Sequence, residues 1–385
     1  MATIRMDINP EVLEYYIEQS EMDVEFLKGK NNLANIEEWI DGSKQPTLNQ
    51  LRELAKKLRV PLGHLVLKEP VDDSPPLLDY RTVDSIDTSK NSRELIDTIR
   101  NVQNQQVFVS EYRKKEGHST LGYLDYFTLD EPTENIVEFC RTLLDLDADW
   151  QKQLGDLEPF KFFREKLNKT GVLVLVNGIV EQNTHRSLDI EEFRAFALID
   201  DYAPAIFINT NDTKNGQVFS LLHEFAHLLF GREEIYNVSN ILNKEPSLLE
   251  RKGNEFASEI LVPNELFKDA WHQFEDNELL EKTEALARQF KVSMTVVAKK
   301  AYINHFINEC DYNAVAEYNQ DKYRESKIMR KESSGGDYWN NLNYKMDPVV
   351  FDTVRKSFYQ GDIQFTKALK LLNIKAKAFD YLEQN

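Results

Sequence analysis

The chain has 385 residues, more than one ordinary compact domain holds, so two or three units are expected. Hydrophobic residues make up 41% and charged residues 29%, an ordinary globular composition that excludes extensive disorder. A net charge of −18 argues against indiscriminate attachment to nucleic acid or anionic membrane, because both are polyanions.

Residues 10 to about 69 read as a cluster of short helices. Pro10 opens the first, with Val12, Leu13, Tyr16 and Ile17 as its apolar stripe. Asp23 caps a second that carries Val24, Phe26 and Leu27, and a third runs from Ala34 to Ile40 before Asp41-Gly42. Thr47 caps a fourth, with Leu48, Leu51, Leu54, Ala55 and Leu58 at helical spacing, ended by Val60-Pro61. Helices of this length joined by short turns suit a helix-turn-helix domain. The Pro-, Asp- and Ser-rich stretch 69–90 is the best domain boundary. Residues 70–159 are then a linker and helical region, with helical segments predicted at 91–115 and 132–168.

Strand signals follow. The Gly171–Val180 segment is β-rich and bounded by glycines, and Phe193–Ile199 and Ala205–Ile208 flank a turn at Asp200-Asp201-Tyr202. A helix begins near Gln217, and mostly helical chain continues to about residue 310. A hydrophilic break at 332–337 precedes a last helical tail that includes Phe365–Leu382. Cys140 and Cys310 make no metal-ligand pair and no disulfide framework, as suits a reducing cytosol. The first twelve residues hold no apolar run of signal-peptide type, and no stretch nears the roughly 18–20 apolar residues that span a bilayer. A soluble, cytoplasmic protein without membrane partners is expected.

The chemistry is concentrated in Phe219–Phe230, which contains His223-Glu224-x-x-His227 in an apolar helical context. Histidines at i and i+4 project from one helix face, so both imidazoles can reach a single ion. Neutral imidazole nitrogen is a good zinc ligand, and Glu224, beside that face, can take a proton from metal-bound water. The flanking Leu221, Leu222, Phe225, Ala226, Leu228 and Leu229 mark a helix buried nearly all round. Burying two imidazoles and a carboxylate there is costly unless they are paired or hold a metal.

A catalytic zinc needs a third protein ligand. The segment from Pro246 to Pro263 reads as a helix whose apolar face is Leu249, Gly253, Phe256, Ala257, Ile260 and Leu261. Glu250 and Asn254 lie one turn apart at its edge: Glu250 as ligand, Asn254 as the partner that orients a histidine. Gly253 permits close approach of another helix. A solvated or capping glutamate is the other reading of Glu250, and surface positions are expected for Glu255 and Glu259.

These residues resemble the ImmA/IrrE family of zinc metallopeptidases. The resemblance rests on Phe193-Arg194-Ala-Phe-Ala, Pro204-Ala-Ile-Phe-Ile-Asn209, the His223–His227 helix, and Glu250-x-x-x-Asn254-x-Phe256-Ala257-x-Glu259-x-Leu261-x-Pro263. It covers roughly residues 160–265, and Gly335-Gly336-Asp337-Tyr338 with the helical tail looks like the extension of phage- and mobile-element-type members. Gly253 departs from it, since many members carry alanine or cysteine there, a small-for-small exchange. The resemblance implies a gluzincin-like site with zinc held by His223, His227 and Glu250, and Glu224 as general base. It also implies cleavage of a transcriptional repressor in a stress, phage or mobile-element response.

The predicted fold class is therefore α+β and predominantly helical. A zincin metallopeptidase domain with a small antiparallel or mixed sheet spans 160–310, behind the all-α helix-turn-helix domain 1–69 and before a helical extension at 311–385. An extended peptide substrate can add to a sheet edge beside the metal, supplied by Ala205–Ile208 or Phe193–Ile199. Arg194 is a candidate for holding a substrate carbonyl or carboxylate, with a structural salt bridge as its other reading. His185, Tyr202 and His272 can each be placed at an oxyanion, although a packed or surface role suits all three better.

Residues Ile36–Val60 resemble the second half of a Cro/repressor-type helix-turn-helix, which places its recognition helix near Asn32–Trp39. That helix offers Asn32 and Asn35 to bases but also Glu37 and Glu38. Lys28, Lys30, Lys44, Lys56, Lys57 and Arg59 can form a basic edge, so DNA contact through residues 28–59 stands beside docking of a repressor, a toxin or a sister subunit. The second function class is accordingly a DNA-binding regulator or antitoxin.

Overall fold

The computed structural model describes residues 5–20, 22–30, 32–71, 92–232, 235–236, 247–274, 277–331 and 337–384. The expected linker at 69–90 falls almost entirely outside these residues, as does Gly335-Gly336. The chain forms two compact units, Met1–Asp97 and Thr98–Asn385. Among the described residues no helix is long and apolar enough to cross a membrane.

The smaller unit contains α1 (Pro10–Gln19), α2 (Val24–Lys28), α3 (Ile36–Ile40) and α4 (Leu48–Leu58), followed by a 3-10 turn at Leu62–Val66. Its starts follow the local chemistry. Asn9 caps α1 with Pro10 in the first turn, Asp23 caps α2, and Thr47 and Gln50 form a reciprocal capping box on α4. Val12, Leu13, Tyr16, Trp39, Leu51 and Leu54 close around one another as the core. The third helix is shorter than expected and begins at Ile36. Asn32 lies before it with φ +72°, and Asn35 makes no side-chain cap.

α5 (Arg93–Lys115) has its first residues in the smaller unit and the rest in the larger, where α6 (Thr133–Leu144) and α7 (Pro159–Thr170) follow before the sheet. The predicted helical segment 132–168 is thus two helices. Asp145 ends the first in the left-handed region, and Pro159 opens the second. The strands are β1 (Leu173–Asn177), β2 (Ala195–Leu198), β3 (Ala205–Asn209) and β4 (Ile235–Tyr236), in the order β1-β3-β2-β4. β3 runs parallel to β1 and antiparallel to β2, and β2 runs antiparallel to β4, so the sheet is mixed. The β2–β3 turn is set by Asp200 Oδ1, which accepts from the amides of Tyr202 and Ala203.

Alternation along the strands gives the sheet two unlike faces. Phe196 and Phe207 stack on one, ring centroids 5.1 Å apart. Ala195, Ala197, Ile206 and Ile208 present a smoother surface to the core on the other, where α8 (Lys214–Leu229) packs across β2 and β3. α8 begins one turn before the expected Gln217, because Thr213 is the cap.

Next come α9 (Leu248–Leu261), α10 (Asn264–His272), α11 (Leu279–Phe290), α12 (Met294–Ile303) and α13 (Glu309–Lys331). α14 (Tyr338–Lys345), α15 (Pro348–Tyr359), α16 (Phe365–Leu372) and α17 (Ala376–Gln384) complete the chain.

The expected separation into 70–159, 160–310 and 311–385 does not appear as separate packing units. α6 packs on α9, and Trp150 Nε1 donates to the carbonyl of Leu261 at 3.1 Å. The C-terminal helices are built into the sheet through Asp347, which is 1% exposed. Its Oδ2 accepts from the amide of Val174 on β1 and from Asn168 Nδ2, both at 2.9 Å, while Oδ1 caps α15.

Candidate metal centre

The site is assembled by two helices that pack against each other, α8 and α9. On α8, His223 and Glu224 are fully buried and His227 is 1% exposed. Burial of three polar groups in this apolar helix follows from its position between the sheet and α9. On α9, the Ser247 hydroxyl accepts from the amide of Glu250 at 3.1 Å, which places Glu250 in the first turn of the helix.

Two ring nitrogens and one carboxylate oxygen converge. His223 Nε2 and His227 Nε2 are 3.0 Å apart, and each lies 3.4 Å from Glu250 Oε1. Two ligands about 2.0–2.1 Å from one tetrahedral ion are about 3.3–3.4 Å apart. The three atoms therefore fit a zinc-sized ion, and they include the expected third ligand. Among the described residues these three alone form such a metal-competent group. Burial pushes the Glu250 carboxyl up, but the charges of His223 and His227 outweigh it and hold the carboxyl well below the usual carboxylate range. Its side chain retains 14% exposure, the most of the three residues.

Gly253 is the residue whose part the sequence understates. A Cβ built there would lie 2.9 Å from His223 Cε1 and 3.0 Å from Nδ1. The imidazole rests on the bare backbone of α9, so alanine at this position is no neutral exchange in this chain. Asn254 is only half-buried, and no hydrogen bond from it to either imidazole is present among the described residues. The expected orienting contact is thus not seen; the ring of His223 is located by Gly253 instead.

Residues 168–302 match the family model of the IrrE N-terminal-like domain, Peptidase_M78. The match covers somewhat over a third of the chain and includes β1 to β3, α8, α9 and every residue of the metal centre. The match suggests a metallopeptidase role of the ImmA/IrrE type for this segment, a type of hydrolase that is zinc-dependent. No curated protein matches the chain.

Within the matched domain, other sequence candidates fall elsewhere. Arg194 Nη1 is held 3.2 Å from Asp212 Oδ2, a carboxylate 4% exposed, so the structural salt bridge is the reading the geometry favours. Neither strand expected to offer a substrate edge is a free edge. β3 lies between β1 and β2, and β4 pairs with Ala195 and Phe196 of β2. β3 is buried along its whole length, which its apolar sequence allows in a central strand. His272 packs edge-on against Phe306, Tyr202 lies under Lys114, and His185 is exposed.

Glu259 is not the surface residue expected. It forms an ion pair with Lys300, itself 6% exposed, and its Oε1 accepts from the amide of Asn264 at 2.8 Å. This ties the end of α9 to α10 and α12. Glu255 is largely exposed and accepts from Thr133 Oγ1 at 2.6 Å. Lys300 and the contacts of the C-terminal helices carry no local sequence signal, because their partners lie tens of residues away.

Proposed function

We propose that this protein is a zinc-dependent endopeptidase that cleaves a regulatory protein, a transcriptional repressor in a stress, phage or mobile-element response. The observation that carries the reading is the convergence of His223, His227 and Glu250, with the buried Glu224 next to His223 on the same helix. These three residues would hold the ion. A zinc ion at such a site polarises a peptide carbonyl and lowers the pKa of bound water towards about 7.

Glu224 takes the proton of the attacking water and passes it to the leaving amine, the work of a general base and then a general acid. Its burial keeps the carboxylate out of bulk water, so little solvent competes for that proton. His223 and His227 would each present a ring nitrogen to the ion, and Glu250 would balance part of its charge.

The smaller unit serves, in this reading, to dock the protein substrate rather than to read DNA. Lys28 is paired with Glu37 at 2.6 Å and Lys44 with Glu38 at 2.7 Å, which neutralises part of the basic edge that phosphates would need.

The test is a Glu224→Gln variant of the full chain, incubated with candidate repressor proteins that the parent cleaves. Zinc content should match the parent while cleavage falls by about 10²–10⁴-fold. Cleavage at the parental rate would end the assignment. A gel shift of upstream DNA at low salt addresses the regulator class, and a specific complex there would favour it.

A further inference from the structure

β1 is an edge strand of the sheet, and its outer side opens on a cavity of about 70 Å³. Leu173 donates its amide to the carbonyl of Pro204, and the carbonyl of Asn177 accepts from Thr210, so alternate residues of β1 face β3. The main chain of Val174 and Val176 therefore faces outward. Asp347 meets the Val174 amide. Val176, two residues on, lines the cavity together with side chains from α5, α14 and the end of α16.

Two groups in this wall are chemically incomplete. Gln105 is 7% exposed and donates through Nε2 to the carbonyl of Leu371 at 2.8 Å, but among the described residues its Oε1 has no hydrogen-bond donor. A buried amide oxygen without a donor is a standing cost to the fold. Lys345 is half-buried, and among the described residues no carboxylate lies within ion-pair distance of it. Burial lowers the pKa of its ammonium group. Of the two carboxylates at the wall, Asp347 already accepts from Val174, Asn168 and the first turn of α15, and Glu181 stands exposed at the rim. The space admits about five water-sized groups.

We propose that this cavity is a regulatory site for a small α-amino or α-hydroxy carboxylate. The ligand's N–H or O–H would satisfy Gln105 Oε1, and its carboxylate would pair with Lys345. Such a site is coupled to the metal centre by the adjacent residue. Tyr344 donates its hydroxyl to Gln217 Oε1 at 2.6 Å, and Gln217, 2% exposed, stands in the first turns of α8. Gln217 Nε2 in turn holds the carbonyls of Thr210 and Asp212 at 3.2 and 2.8 Å. A ligand that draws Lys345 inward thus acts on the anchor of the helix that carries His223 and His227. The binding claim is independent of peptidase activity; the coupling claim rests on the metal-centre reading.

The experiment is calorimetric titration of the full chain with glycine, L-alanine, L-lactate and alanyl-alanine, with acetamide and propionate as controls that lack the carboxylate or the donor. Amino or hydroxy carboxylates should bind, and Lys345→Met and Gln105→Leu should each weaken them at least tenfold. Binding of alanyl-alanine as tightly as alanine would identify the ligand as a chain terminus. Zinc affinity, measured by chelator competition, should shift several-fold when ligand is present, and Tyr344→Phe should abolish that shift while keeping ligand affinity. Absence of heat with every carboxylate overturns the site, whether or not either variant folds. Ligand binding without any effect on zinc affinity overturns the coupling alone, and failure of Glu224→Gln to alter cleavage bears on neither.

Discussion

Replacing Gly253 by alanine sets two effects of opposite sign against each other. The new methyl would stand 2.9 Å from His223 Cε1 and 3.0 Å from Nδ1, where ordinary van der Waals contact begins at 3.4 Å. The deficit of about 0.5 Å exceeds the tolerance of about 0.2 Å on metal–ligand distances. The ring must therefore turn or recede from the position that suits an ion. A displaced or misoriented ligand weakens metal binding by about 10–100-fold, or about 1.4–2.7 kcal/mol. Within α9, however, alanine is a better helix residue than glycine by about 1 kcal/mol. The metal-free variant should consequently melt no lower than the parent, or slightly higher, while its zinc affinity falls. Chelator competition gives the affinity, cobalt substitution reports the ligand geometry in the visible spectrum, and circular dichroism follows melting. A variant with parental zinc affinity and an unchanged cobalt spectrum would refute the claim that Gly253 sets the ring's position.

Asp347→Ala should destabilise the larger unit by about 3–5 kcal/mol, read as a lower denaturation midpoint, because it strands the Val174 amide, Asn168 and the cap of α15. A change within 0.5 kcal/mol would show that the C-terminal helices do not depend on it. Cys140 is buried and its thiol is pushed well up by burial, whereas Cys310 is exposed. A disulfide-exchange reagent at pH 8 should thus modify one thiol per folded chain and both after denaturation. Rapid modification of two thiols in the folded protein would contradict the packing around α6.

The residues of the metal centre were legible to different degrees, and the difference tracks sequence distance. His223 and His227 are one helical turn apart, so helix geometry alone puts their rings on one face. Glu250 comes from another helix, and only its place on the edge of an apolar stripe pointed inward. The same helix offered Asn254, Glu255 and Glu259 as further polar candidates. Their contacts depend on which of α6, α8, α10 and α12 lies opposite each, which no local pattern encodes.

Caps, turns and apolar stripes were readable because each is decided by residues within four positions of one another. Pro10, Asp23, Thr47, the β2–β3 turn at Asp200 and the burial of α8 all belong to this class. Strand existence was readable as well, but strand neighbours were not, and so β3 proved central where an edge was expected. Tertiary packing alone decided that Arg194 meets Asp212, that Gly253 supports His223 and that Asp347 meets the outward Val174 amide of β1. Each of these joins groups at least eighteen positions apart in the chain. Their meeting is a property of how helices and sheet pack, since burial energy is indifferent to sequence order.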